Sequence, residues 1–72
     1  MITHRDIYFK EATYMSGIGV PADPDGVVRN RHFINCDFHI ACRNIPFENC
    51  IFERCTFLAF NKFTNATNCK IQ

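Results

Sequence analysis

Seventy-two residues carry eight Lys and Arg against seven Asp and Glu, a formal charge of +1 that argues against both a strong polyanion binder and a strong nucleic-acid mimic. A chain this short buries only about 60% of the surface its unfolded form exposes, so it needs dense packing, a staple or a partner; eight Phe and two Tyr, with no Trp, supply the bulk. No run of about 18 apolar residues marks a membrane span, and "MITHRDIYFKEATY" lacks the apolar stretch of a secretion signal, so the expected location is the cytoplasm, away from membranes.

In chain order, three segments of a single domain (1–72) emerge. Residues 1–19 read as an N-terminal cap or a first coil. Thr3 could cap a helix running through Tyr14, with Asp6 at its third position. "IYF" reads equally as strand. Phe9 and Tyr14 are also five apart, with Ala12 two before Tyr14. Extended or coil-like structure is the expectation here. Residues 20–32, "VPADPDGVVRNRH", form a loop or hairpin zone, because Pro21, Pro24 and Gly26 interrupt regular structure and Asp25-Gly26 signals a turn. Residues 33–72 hold all five Cys and most of the Phe.

Within that third segment, "FENCIFERCTF" (47–57) places Phe47, Phe52 and Phe57 every five residues, with Cys50 and Cys55 each two before a Phe. The apolar spacings alternate three, two, three, two. A flat strand needs twos throughout, and a helix would scatter these positions around its whole surface. A chain that turns a corner every five residues can aim all of them inward, and stacking such coils pairs their backbone groups. "FINCDF" (33–38) repeats the pattern with Phe33, Cys36 and Phe38, and Asn-Cys recurs at 35–36, 49–50 and 68–69.

"CDFHI", "CIFER" and "CTFLA" resemble units of the pentapeptide-repeat family. The resemblance implies an all-β fold, a short right-handed quadrilateral β-helix with four repeats per coil; the alternative is a small α+β domain. It also implies a core of Phe38, Phe47, Phe52 and Phe57, with Cys36, Cys50 and Cys55 as the small inward residues. Two departures stand out. Phe38 to Phe47 is nine residues rather than ten, a slip that "IACRNIP" must absorb, and after Phe57 the phase slips again, since Phe60 and Phe63 share no register with Ile71. The last unit stops at Gln72 with no capping helix after it. Phe60, Phe63 and Ile71 are therefore the expected contact of a homodimer formed through about residues 58–72.

Several residues invite chemistry. His32, Cys36, His39 and Cys42 have the donor types of a zinc site, but Cys36 is already explained as a core residue, no Cys-x-x-Cys pair exists, and no metal or other cofactor is expected. Reduced thiols are the expectation for all five Cys. A Cys–His nucleophile lacks any local signature, so no enzyme is expected. Asn65-Ala66-Thr67 matches a glycosylation acceptor that a protein without a secretion signal would not use. Arg29, Arg31 and His32, beside Phe33, are candidate phosphate contacts, and a solvated loop explains them as well. Asp37, Glu48 and Glu53 should point outward. In the resembled family, acidic columns can imitate DNA, and some members inhibit or protect DNA gyrase, but Arg43 and Arg54 interrupt such a column here. The expected function is a non-catalytic protein-binding module, a small phage or mobile-element inhibitor of a host protein. The alternatives are a nucleic-acid-directed protein or a gyrase-type DNA mimic.

Overall fold

The computed structural model describes residues 1–10 and 22–72. The positions read as continuing the pattern at Ala12 and Tyr14 lie outside the described residues. Ten short strands, each of two to four residues, make up the described chain: β1 (Ile2–Arg5), β2 (Tyr8–Phe9), β3 (Val28–Arg29), β4 (Arg31–Ile34), β5 (Asp37–Phe38), β6 (Phe47–Glu48), β7 (Ile51–Glu53), β8 (Thr56–Phe57), β9 (Ala66–Thr67) and β10 (Lys70–Ile71). A 3₁₀ turn at Ile40–Cys42 is the one helical piece among the described residues. The fold is all-β.

The strands form three open parallel sheets, ordered β1-β4-β7-β10, β2-β5-β8 and β3-β6-β9. The chain visits the sheets in the same order on every circuit. Phe33 pairs with Phe52, Phe38 with Phe57 and Phe47 with Ala66, each nineteen positions on. The two slips noted in the sequence thus fall in the same place on successive circuits, after β5 and after β8, and each is a nine-residue step, Phe38 to Phe47 and Phe57 to Ala66, so the second keeps the register that the first one set. The first of these stretches holds the 3₁₀ turn. His39 caps it by accepting the Ala41 amide at 3.1 Å, and Pro46 lies just before β6. The first circuit is ten residues longer, since Phe9 and Val28 are nineteen apart where Phe38 and Phe47 are nine; residues 11–21 fall in that stretch.

The extended expectation for the N-terminal segment holds over residues 1–10, while one alternative falls and one expectation changes. Ile2–Arg5 is strand paired to Arg31–Ile34, so the helix reading from Thr3 fails over the described residues, and the α+β alternative fails with it. Residues 28–32, read as loop or hairpin, are β3 and the start of β4, and every described pairing is parallel, so no hairpin forms there. The Asp25-Gly26 turn is present: the Gly26 amide donates to the Asp23 carbonyl at 2.8 Å, with Gly26 at φ 85°.

The strands are short because the chain bends after them through left-handed residues. Asp6, Asn35 and Arg54 follow β1, β4 and β7, while Asn30, Asn49 and Asn68 follow β3, β6 and β9, all with φ between 52° and 57°. Asn and Asp tolerate this conformation better than other side chains. Their amides also bridge circuits: Asn35 Nδ2 donates to Asp6 Oδ1 at 2.6 Å, and Asn68 Nδ2 donates to Asn49 Oδ1. Cys follows the corner Asn three times and the corner Arg54 once, and of these Cys36 and Cys50 are fully buried.

Inside, aromatic rings stack along two of the three sheets and meet edge-on between sheets. Phe33 lies on Phe52 at 5.3 Å and 6°, and Phe9 on Phe38 at 5.1 Å and 21°. Phe47 meets Phe52 at 83° and Phe38 at 88°. Edge-to-face contact of this kind suits the ring quadrupoles and adds to the burial of apolar area.

Candidate functional site

The two ends of the stack differ. Toward β1–β3, Phe9 and Val28 are buried although they lie on edge strands, and His4 stacks on Phe33 at 5.2 Å. Toward β8–β10 the last layer is looser: Phe57 and Phe60 are half-buried, Ala66 is exposed, and Ile71 keeps 59% of its surface in solvent. A cleft of about 530 Å³ opens there, lined by Phe52, Phe63, Ala66, Cys69 and Ile71, with Lys62, Thr64 and Asn68 supplying polar groups. Ala66, which stands where the circuit before has Phe47, is part of its wall.

Phe63, expected on the surface with Phe60 and Ile71, is buried instead. It contacts Phe47 at 4.2 Å, Phe52 at 5.0 Å, Phe57 at 5.1 Å and Phe38 at 5.2 Å, filling the space that Ala66 leaves. Of the expected core, Phe38, Phe47, Phe52, Cys36 and Cys50 are fully buried, while Phe57 and Cys55 pack against it half-buried. The core also takes in Phe9, Val28, Phe33, Cys42 and Ile45. Counting back in fives from Phe38 through Phe33 reaches Val28, a signal in the sequence that could have found it.

The basic cluster is tied into the protein. Arg29 is held by three carboxylates, Asp25 at 2.7 Å, Asp23 at 3.1 Å and Glu48 at 3.2 Å, which push its guanidinium further toward the charged form. The same contact holds the Asp25 carboxyl below its ordinary range, aided by the Val27 amide. With local charges in this ratio the group does not present a cation to phosphate. His32 Nε2 lies 3.1 Å from Glu53, which Arg54 also contacts at 3.3 Å, so Glu48 and Glu53 are both matched by cationic or imidazole groups. Arg31 lies 3.3 Å from His4 Nε2; since a guanidinium only donates, that nitrogen carries the lone pair. Burial first, and then the Arg31 charge, lower the His4 pKa below 6.5.

His32, Cys36, His39 and Cys42 are not brought together. His32 serves Glu53, His39 caps the 3₁₀ turn, and the Cys36 and Cys42 thiols donate to carbonyls of Ile34 and Phe9. Among the described residues no three His, Cys, Asp or Glu side chains are grouped to hold a metal ion. Burial raises the Cys thiols: Cys42 and Cys50 are pushed up to about 11, and Cys36 and Cys55 rise in the same direction. Such thiols are poor nucleophiles at neutral pH. No described helix is long and apolar enough to cross a membrane. Comparison of the chain with protein-family models, curated proteins and solved structures gives no match.

Proposed function

We propose that the chain is a non-catalytic protein-binding module on a short right-handed β-helix of the pentapeptide-repeat kind, and that it docks on protein through the β8–β10 end of the stack. One observation carries the reading: an apolar cleft beside the exposed Ile71, at an end where, among the described residues, the edges of β8, β9 and β10 stand open. Open parallel edges and exposed apolar residues are what a docking partner covers. A second copy is one such partner, and pairing through residues 58–72 would bury Ile71 and the rim of the cleft against their own images. Size and charge balance fit a small accessory inhibitor of a larger protein, with the phage or mobile-element setting that such size suggests.

The nucleic-acid alternatives draw less support, because Arg29 is enclosed by carboxylates and the outward acids Glu48 and Glu53 are matched. Affinity capture from host extracts, run in parallel with the parent protein and Ile71→Asp, tests the reading. Loss of the captured protein with Ile71→Asp supports it. Capture that is indifferent to the substitution, or tight binding to labelled DNA or RNA with a steep salt slope, overturns it.

A further inference from the structure

None of the five cysteines is in a disulfide, and two pairs of them stand one circuit apart: Cys36 with Cys55 and Cys50 with Cys69. The position one circuit beyond Cys42 is Asn61, so Cys42 has no cysteine in the corresponding place. The Cys50–Cys69 pair is fixed on both sides. Just before it, Glu48 pairs with Thr67, and Asn68 bonds to Asn49; just after it, Ile51 pairs with Lys70, and the Lys70 amide donates to the Cys50 carbonyl at 3.0 Å. Both thiols turn to the same side. Cys50 donates to the carbonyls of Glu48 and Val28, and Cys69 donates to the equivalent carbonyls of Thr67 and Phe47. The Cys69 side chain is also among the groups that act on the Cys50 thiol.

Paired parallel strands lie about 4.8 Å apart, inside the ~4.4–6.8 Å span of Cα atoms that a disulfide bridges. Matched positions on parallel strands hold their Cβ atoms at nearly that same distance, somewhat wider than a disulfide prefers. The adjustment falls on β10, a two-residue edge strand paired on one side only, which can move toward β7 without disturbing the core. Access is one-sided too: Cys50 is buried, whereas Cys69 is half-buried and lines the open cleft.

We propose that Cys50 and Cys69 are a redox pair that closes into a cross-circuit disulfide, fastening β10 to β7, with a low-molecular-weight disulfide as the oxidant. Cys69 loses its proton to solvent, and its sulfur attacks the oxidant's sulfur–sulfur bond, forming a mixed disulfide and releasing one small thiolate. At mildly alkaline pH the Cys50 thiol, which burial makes slow to ionise but which is held one circuit from Cys69, gives its proton to base and attacks Cys69 Sγ. The protein disulfide forms, the mixed disulfide breaks, and the second small thiolate leaves. Two protein thiols are oxidised and one small disulfide is reduced to two thiols. The disulfide requires neither the protein-binding reading nor a partner.

The test is incubation of the folded protein with oxidised glutathione, alkylation of the remaining thiols, trypsin digestion without reduction, and mass analysis. Cleavage after Arg31, Arg43, Arg54, Lys62 and Lys70 separates the thiols into peptides 32–43, 44–54, 55–62 and 63–70. The expected product links 44–54 to 63–70, is absent from Cys69→Ser and from Cys50→Ala, and persists in Cys36→Ser. The oxidised protein should melt about 10 °C above the reduced one. A Cys69 that stays glutathionylated, a dominant link between 32–43 and 55–62, or five thiols that remain free would each overturn the proposal.

Discussion

Phe52 touches more of the core than any neighbour in its own strand: it stacks on Phe33, meets Phe47 edge-on at 5.1 Å and lies 5.0 Å from Phe63. Truncation there leaves a cavity that rings fixed on three sheets cannot close. Phe52→Ala should therefore lose about 3–5 kcal/mol, a large share of the roughly 5–15 kcal/mol by which small domains are stable. Urea denaturation of parent and variant measures it, and equal midpoints would contradict the packing described. His4 acts through protonation instead. Its pKa is lowered in the folded protein, so folding favours the neutral ring, and the contribution is fully present above the ordinary value of 6.5. It is lost as pH falls below 6.5 toward the depressed folded value. The groups that face the ring are Arg31, Phe9 and Phe33. The melting temperature should drop between pH 7.5 and pH 5.5, and His4→Phe, which keeps a ring on Phe33, should drop less.

At the level of strands and corners, the left-handed residues decide where the chain bends. Asn49 and Ala59 both have positive φ, at 55° and 66°. Asn suits that conformation, and Ala does not. Asn49→Ala should thus destabilise by about 1 kcal/mol and Ala59→Gly should stabilise by about 0.5–1 kcal/mol, opposite shifts that chemical denaturation resolves. The five-residue spacing of Phe47, Phe52 and Phe57 was legible because one inward residue recurs on each side of the circuit, and the recurring Asn-Cys pairs fall at three of the corners that the backbone makes. What stands next to what was not legible. Pairing of Arg29 with Glu48, or of His32 with Glu53, depends on a circuit of nineteen residues, a length that emerges only once the nine-residue side is known to repeat. Phe63 was misplaced for the same reason: its burial follows from Ala66 standing where the previous circuit has Phe47, which no local pattern reveals.

For the molecule as a whole, the uneven ends set its behaviour in solution. Phe63→Asp would bury a charge in the core and unfold the protein, so it cannot report on association, whereas Ile71 is 59% exposed and can be changed without touching the packing. Light scattering at micromolar concentration should show a dimer for the parent and a monomer for Ile71→Asp, with both folded by circular dichroism and the parent alone gaining melting temperature with concentration; a monomeric parent would exclude pairing through this face. The constant circuit has a further consequence, for how such a chain can change in length. Duplicating residues 36–54 in tandem inserts one full circuit of nineteen residues, and the columns through Cys36, Phe38, Asn49 and Cys50 each gain a residue of their own kind in register. The lengthened protein should fold with an added storey and melt no lower than the parent, whereas an insert one residue shorter would turn each inward Phe out toward water. Growth of this protein is thus quantised: whole storeys of nineteen residues are tolerated at a point where single insertions are not.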